Sequence, residues 1–126
     1  MSGYVDNIEK KSQYNDNFRE VLFTSGKMQL VVMKLNAGED IGEEVHDKVD
    51  QFIRVESGEG MAVLDGEETK IYDGFAVVIP AGTKHNIINQ GVDAMKLYTI
   101  YTPPQHRERT VHATKADAIA DEGDHY

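Results

Sequence analysis

Short runs of alternating hydrophobic and polar residues fill most of this chain between about residues 18 and 102. Such alternation is typical of β-strands that bury one face. Turn-forming residues separate the runs at nearly every break, and Asp65-Gly66 favours a tight hairpin because such turns need positive φ. The pattern predicts strands at residues 18–23, 28–35, 51–56, 60–64, 68–72, 75–79, 86–88 and 95–101.

Short strands at this regular spacing predict an all-β sandwich or barrel. Pro103-Pro104 ends the last strand, because proline has no N–H to donate to a neighbouring strand. Further along the chain, Thr114 and Asp117 have the spacing of a capping box. They predict a short C-terminal helix over residues 115–122, ended by Gly123.

The length of 126 residues suits one domain with a single hydrophobic core. We expect the barrel core at about residues 18–102, followed by a C-terminal extension at residues 103–126 that carries the helix. The first residues are mostly polar. Residues 1–15 are therefore expected to form a frayed tail, unless a partner subunit orders them.

Composition and charge exclude several classes of function. The chain has no cysteine, which rules out disulfides, zinc–thiolate sites and thiol catalysis. Its net charge of -9 disfavours nucleic acid as a partner, because nucleic-acid binding needs a basic surface. No segment resembles a signal peptide or a membrane span, so we expect a cytoplasmic location and no membrane partner. The expected partner is a small-molecule ligand or substrate.

Two separate segments carry residues of metal-ligand type. Successive strand residues point to opposite faces, so Glu44 and His46 share one face. The polar residues 47–50 indicate a turn that resets this register and lets Gln51 face inward as well. His85 follows a rigid proline–glycine turn that can aim it into the barrel. Four polar side chains in an apolar interior are costly unless something satisfies them, and a divalent metal ion would do so.

The two segments resemble the two motifs of the cupin superfamily. The second motif is matched at its defining positions by Gly74-x5-Pro80-x-Gly82-x2-His85-x3-Asn89. The spacing of the first motif is matched by Gly38-x5-Glu44-x-His46-x4-Gln51-x6-Gly58. Residues 97–106 are similar to the end of small stand-alone cupins described as mannose-6-phosphate-isomerase-like. The resemblance implies a jelly-roll β-barrel with a metal near one mouth, in a homodimer.

Carried onto this sequence, the metal-holding positions of the family are Glu44, His46, Gln51 and His85. Glu44 replaces a histidine of the family motif, and Gln51 replaces its glutamate. A glutamine can bind a metal only through its neutral amide oxygen and cannot act as a base. The resulting set of two nitrogens and two oxygens suits Mn, Fe, Co, Ni or Zn, and its two-histidine, one-carboxylate part is compatible with non-haem Fe(II).

Other interpretations of these four residues stay open. His85 is compatible with a hydrogen-bonded core histidine, and His46 with a histidine beside a turn. Glu44 lies in an acidic run that suits a solvated loop, and Gln51 also suits a residue that holds a bound water.

Tyr98 and Tyr101 are candidate catalytic proton donors at the pocket, although aromatic residues in strands more often serve packing. His106 and His112 follow the predicted barrel, and a surface position is expected for both.

The leading hypothesis is a metal-dependent, isomerase-like enzyme that acts on a carbonyl or enediol-forming small molecule, such as a sugar, a uronate or a keto acid. An Fe(II)-dependent dioxygenase is an alternative with the same ligands. A cupin that binds a small molecule without catalysis is the third hypothesis.

Overall fold

The computed structural model describes residues 2–121, 123 and 124. Met1, Glu122, His125 and Tyr126, which belong to the predicted tail and extension, lie outside the described residues. Among the described residues there are two helices, α1 (Ile8–Tyr14) and α2 (Lys115–Ala120). The strands are β1 (Arg19–Thr24), β2 (Gln29–Leu35), β3 (Asp50–Ser57), β4 (Gly60–Leu64), β5 (Glu67–Ile71), β6 (Ala76–Ile79), β7 (His85–Asn89), β8 (Met95–Thr102) and β9 (Val111–His112).

The strands form two antiparallel sheets packed around one core, which is the predicted all-β jelly roll. The larger sheet has the order β6-β3-β8-β2-β1-β9, and the smaller sheet has the order β5-β4-β7. All eight predicted strands are present, with ends that differ from the prediction by one residue at most. The additional strand β9 has two residues, too few to carry an alternation pattern.

The core lies between the two sheets and takes every second residue of their strands. In β3, Ile53 and Val55 are fully buried, and in β8 the same holds for Leu97. They meet Ile87 of β7 and Ile71 of β5 from the opposite sheet in one hydrophobic cluster. Each such side chain contributes about 1.5–3 kcal/mol through burial, so the alternation read from the sequence also holds the sheets together.

One turn and one close approach of two strands depend on particular residues. The predicted hairpin between β4 and β5 is present, with Asp65 at φ 48° and Gly66 at φ 83°. Gly60 lies where β4 approaches β7, and a Cβ there would be 2.2 Å from the carbonyl oxygen of Ile88. Only glycine therefore allows these two strands to pair at this position.

The frayed tail predicted for residues 1–15 was wrong for residues 8–14, because they form α1. Asn7 caps the helix, with its side chain accepting a hydrogen bond from the Lys10 N–H at 3.0 Å. Gln13 Nε2 donates to the carbonyl oxygen of Glu56 at 3.3 Å, and Lys96 Nζ donates to that of Gln13 at 3.1 Å. These polar contacts hold the helix on the larger sheet. Because the contacts are polar, the sequence of the helix shows no hydrophobic periodicity from which it could be predicted.

The C-terminal helix begins as predicted. Thr114 Oγ1 accepts from the Asp117 N–H at 3.1 Å, and the Asp117 carboxylate accepts from the Thr114 N–H at 3.3 Å. This capping box starts α2, which ends at Ala120, two residues before the predicted end. Neither helix in the described part of the chain is long and apolar enough to cross a membrane.

Candidate metal centre

Glu44 and His85 are held opposite each other by their own backbones. Each N–H donates to the carbonyl oxygen of the other at 2.9 Å, which forms an isolated antiparallel bridge beside β7. The turn before His85 is fixed by Gly82, whose φ of 86° favours glycine. The Gly82 N–H donates to the carbonyl oxygen of His46 at 2.8 Å, so the same turn positions both histidines.

Glu44, His46 and His85 converge on one point. Each offers one ligand atom, and these three atoms lie within 4.8 Å of one another. Glu44 Oε2 is 3.8 Å from His46 Nε2, and the centroids of the two histidine rings are 5.1 Å apart. Glu44 and His46 are half-buried, and His85 is buried. The structure thus brings together three of the four predicted ligands in a geometry that a single divalent ion can bridge.

The tautomer of His85 follows from its other contact. Its Nδ1 is 2.9 Å from the carbonyl oxygen of Thr83. A carbonyl oxygen can only accept, so Nδ1 carries the hydrogen and Nε2 keeps the lone pair. This arrangement is usual for metal-binding histidines, in which a hydrogen bond at one nitrogen fixes the ring for ligation through the other.

Gln51 faces inward from β3, as the predicted turn over residues 47–50 requires, and is 4% exposed. Its Nε2 donates to Thr99 Oγ1 at 3.0 Å. Its Oε1 is buried and has no hydrogen-bond partner among the residues that the structure describes. An unsatisfied buried amide oxygen is costly, and ligation to a cation would remove that cost. Gln51 pairs in register with Tyr101, whose ring is 6.1 Å from the His46 ring in an edge-on contact.

These residues fit a divalent transition metal. Two neutral imidazoles, one carboxylate and one amide oxygen would leave a divalent ion with about one net positive charge. Thiolates are absent from the whole sequence, so the donor set does not resemble that of a purely structural zinc site.

The two candidate catalytic tyrosines occupy opposite faces of β8. Tyr101 points inward and is 2% exposed. Burial raises the pKa of Tyr101 far above its ordinary value, and the negative charge of Glu44 acts in the same direction. Tyr98 points outward and packs beside Phe52, with ring centroids 6.3 Å apart. The structure therefore brings Tyr101 to the candidate centre and does not bring Tyr98.

The expectation that His106 and His112 lie at the surface was wrong, because they are only 2% and 3% exposed. His106 Nδ1 is 2.8 Å from Asp124 Oδ2, and its Nε2 is 3.3 Å from the Tyr101 hydroxyl oxygen. His112 Nε2 is 3.0 Å from Asp121 Oδ2. Each histidine thus contacts an aspartate near the C-terminus. The signal in the sequence that could have indicated their burial is the presence of these acidic residues close behind the two histidines.

His112, Asp121 and Asp124 form a second group whose ligand atoms lie within 4.8 Å of one another. Here Arg19 already supplies a positive charge, with one guanidinium nitrogen 3.9 Å from Asp124 Oδ2. The same nitrogen is 3.4 Å from His112 Nδ1, and because arginine can only donate, that Nδ1 must accept. This second group is therefore a hydrogen-bonded ion cluster.

A hollow of about 410 Å³ opens beside Glu44, between the barrel and α2. Its walls include Phe18, Arg19, Ile41, Lys115 and Ala118. This volume falls within the range of small-molecule pockets. The C-terminal helix thus forms one wall of this hollow, and Glu44 is the candidate ligand that lines it.

Comparison with known proteins gives relatives over nearly the whole chain. The family model described as Cupin domain matches residues 31–101. The uncharacterised protein YrkC of Bacillus subtilis is 46% identical over 125 residues, which cover 94% of this chain and 67% of YrkC. A crystal structure from Bacillus halodurans has 44% identity and a TM-score of 0.92, with 93% of each chain covered. The polyketide synthase CurC of Streptomyces cyaneus is 30% identical over 100 residues, 79% of this chain and 64% of CurC.

Proposed function

This chain belongs to the cupin domain family, and we propose that it is a metal-dependent enzyme that acts on a small carbonyl or enediol-forming molecule. Sugars, uronates and keto acids are the substrate classes in view, with isomerisation as the type of reaction. The observation that carries the proposal is the convergence of Glu44, His46 and His85 beside the unsatisfied oxygen of Gln51.

Each of the candidate residues would have its own role at the site. Glu44, His46, Gln51 and His85 would hold the ion, and the Thr83 carbonyl keeps the His85 ring in the orientation needed. A bound divalent ion supplies Lewis acidity toward a carbonyl or enolate oxygen.

Burial raises the pKa of Tyr101, so its hydroxyl group holds its proton firmly at neutral pH. Because its ring lies 6.1 Å from the His46 ring, Tyr101 would serve as a hydrogen-bond donor to a substrate oxygen that becomes negatively charged, and not as a strong acid. The hollow between the barrel and α2 would give a small molecule a place beside Glu44.

Two other functions remain candidates. Glu44, His46 and His85 are a two-histidine, one-carboxylate set, which favours Fe(II)-dependent oxygenation as the second candidate. In a non-catalytic binding cupin, the same ion would only hold the small molecule in place.

Metal content tests the common premise of these functions. We expect the protein purified without chelator to contain, or to take up, about one equivalent of a divalent transition metal by elemental analysis. His85→Ala should abolish this uptake, whereas Tyr98→Phe, on the outer face of β8, should retain it. A wild-type protein with no metal above background, and none gained on addition, would contradict the proposal.

Substrate panels then separate the three functions. Anaerobic turnover of a sugar acid supports the isomerase, and oxygen uptake with reduced iron and keto acids supports the dioxygenase. Ligand-induced thermal stabilisation without any product supports the binding protein.

A further inference from the structure

A row of hydrophobic side chains crosses the outer face of the larger sheet. Phe52 of β3 lies beside Val78 of β6 on one side and beside Ile100 of β8 on the other. Ile100 in turn lies beside Leu30 of β2. All four point away from the core, because the residues before and after each of them in its strand are buried. These four residues are named the outer row below.

The outer row is open to solvent in a single chain. Val78 is 64% exposed, and the other three residues are half-buried. Where one face of an antiparallel sheet meets water, that face usually carries polar side chains. A continuous hydrophobic row on such a face is typical of a surface that another molecule covers.

Helix α1 of the same chain is held at the other end of this face. Gln13 of α1 donates to the carbonyl oxygen of Glu56 and accepts from Lys96 Nζ. Glu56 and Lys96 lie four residues along their strands from Phe52 and Ile100, a distance of about 13 Å. The polar contacts of α1 are therefore made away from the outer row.

We propose that a second copy of this chain packs on the outer row, so that the larger sheets of two subunits face each other in a homodimer. The net charge of each chain is -9, which makes two copies repel each other over most of their surface. The outer row contains no charged residue, so two copies can approach there with the least repulsion.

The charges beside the outer row complement each other in a twofold arrangement. Asp50 lies two residues before Phe52 and Arg54 two residues after it, on the same face of β3. A twofold axis along the row reverses the strand direction of the second copy, which places Asp50 opposite Arg54 of the partner subunit.

Both side chains can take on such a contact. One oxygen of Asp50 accepts from the Ala81 N–H at 2.8 Å, and a carboxylate has a second oxygen that can accept. The Arg54 side chain is 42% exposed, and its Nε is 3.9 Å from the Glu56 carboxylate. That distance is long for a hydrogen bond between charged groups, so the guanidinium has donors to offer.

The second copy would lie behind the candidate metal centre and leave its inner side open. Gln51 precedes Phe52 in β3, and Tyr101 follows Ile100 in β8, so both point to the inner face. The inference therefore does not rest on the proposed function, and it can fail while the metal site stands.

Sedimentation equilibrium of two matched variants tests the inference. Val78→Glu places a charge at one end of the outer row. Val111→Glu makes the same change at the opposite edge of the same sheet, where the valine is 55% exposed. We expect Val78→Glu to weaken the dimer about tenfold or more, and Val111→Glu to leave it close to wild type. A wild type that is monomeric at micromolar concentration, or a dimer that both variants leave unchanged, would overturn the inference.

Exchange of the two flanking charges tests the twofold arrangement without altering the outer row. Arg54→Glu places two acidic residues opposite each other and should weaken the dimer. Adding Asp50→Lys should restore it, because the pair is kept with its signs exchanged. A folded double variant that dimerises no better than Arg54→Glu would overturn the arrangement. A monomeric wild type that binds phosphatidylcholine vesicles, and loses that binding with Val78→Glu, would assign the outer row to a lipid surface instead. Circular dichroism of every variant checks that it is folded.

Discussion

Gln51→Glu tests how far this barrel depends on a bound ion. The change introduces the carboxylate that the cupin motif carries at this position. Because Gln51 is 4% exposed, the new carboxylate would lie out of contact with bulk water. One of its oxygens would also occupy the place of Gln51 Oε1, which has no hydrogen-bond donor among the described residues. Burial of this kind raises the pKa of a carboxyl group, since it disfavours the charged form.

Protonation sets an upper limit to the cost in the absence of metal. At roughly 1.4 kcal/mol per pH unit between an ordinary glutamate pKa of about 4.3 and pH 7, the limit is about 4 kcal/mol. A chain of this size loses roughly 3–4 °C in Tm per kcal/mol, so Tm at pH 7 should fall by up to about 15 °C. Below about pH 4 the folded and unfolded states both bind the proton, and the penalty should disappear there.

Thermal unfolding followed by circular dichroism measures this effect in EDTA and in excess Co²⁺. Co²⁺ should restore the stability of Gln51→Glu by more than it stabilises wild type, because the ion would then pair with a second carboxylate. Gln51→Met is the matched control, since it keeps a similar volume without charge. It should remain close to wild type in EDTA and gain less from Co²⁺.

An unchanged Tm of Gln51→Glu at pH 7 in EDTA would refute this reasoning. Such a result would mean that residue 51 meets water or a donor, and the unsatisfied oxygen of Gln51 would no longer argue for a metal.

The remaining predictions concern the C-terminal helix and the assembly. Asp40 accepts a hydrogen bond from Lys115 of α2, and this contact lowers the Asp40 pKa. The carboxylate therefore stabilises the protein above an unfolded pKa of about 3.9, and this contribution is lost as pH falls through the lower folded value. Urea unfolding should find Asp40→Asn less stable at pH 7 by under about 1 kcal/mol, because the pair is partly exposed. That difference should vanish near pH 2. Light scattering at micromolar concentration should give a homodimer, twice the 14.1 kDa of one chain, and a clean monomer would refute it.

The strands were predictable because alternation in the sequence is the direct cause of their burial. Ile53 and Val55 face the core for the same reason that made them recognisable. The placement of Gln51 was predictable as well, since a polar turn must reset the register before β3. The positions of His85 and Glu44 depend on a single backbone bridge between them. The spacing of the two motifs predicted that these residues lie close together.

Other features depend on contacts between distant polar residues, which leave no periodic pattern. Helix α1 is held by Gln13 and Lys96, which meet only in the folded chain. Buried His106 contacts the Asp124 carboxylate with its ring and donates its backbone N–H to Gln29 Oε1, and both partners are distant from it along the chain. Strand alternation places Tyr98 and Tyr101 on opposite faces of β8, but only the packing of the folded chain determines that Tyr101 is the one that faces inward.

Glu44 is bridged to His85, which lies on β7 of the smaller sheet, whereas Gln51 lies on β3 of the larger sheet. An ion held from both sides would connect the two sheets at this end of the barrel. The sheets would then have to separate slightly before all the ligands could release the ion. Exchange of the metal with solvent would be governed by this motion of the whole barrel end, and it would be slow even if each bond to the ion is individually labile.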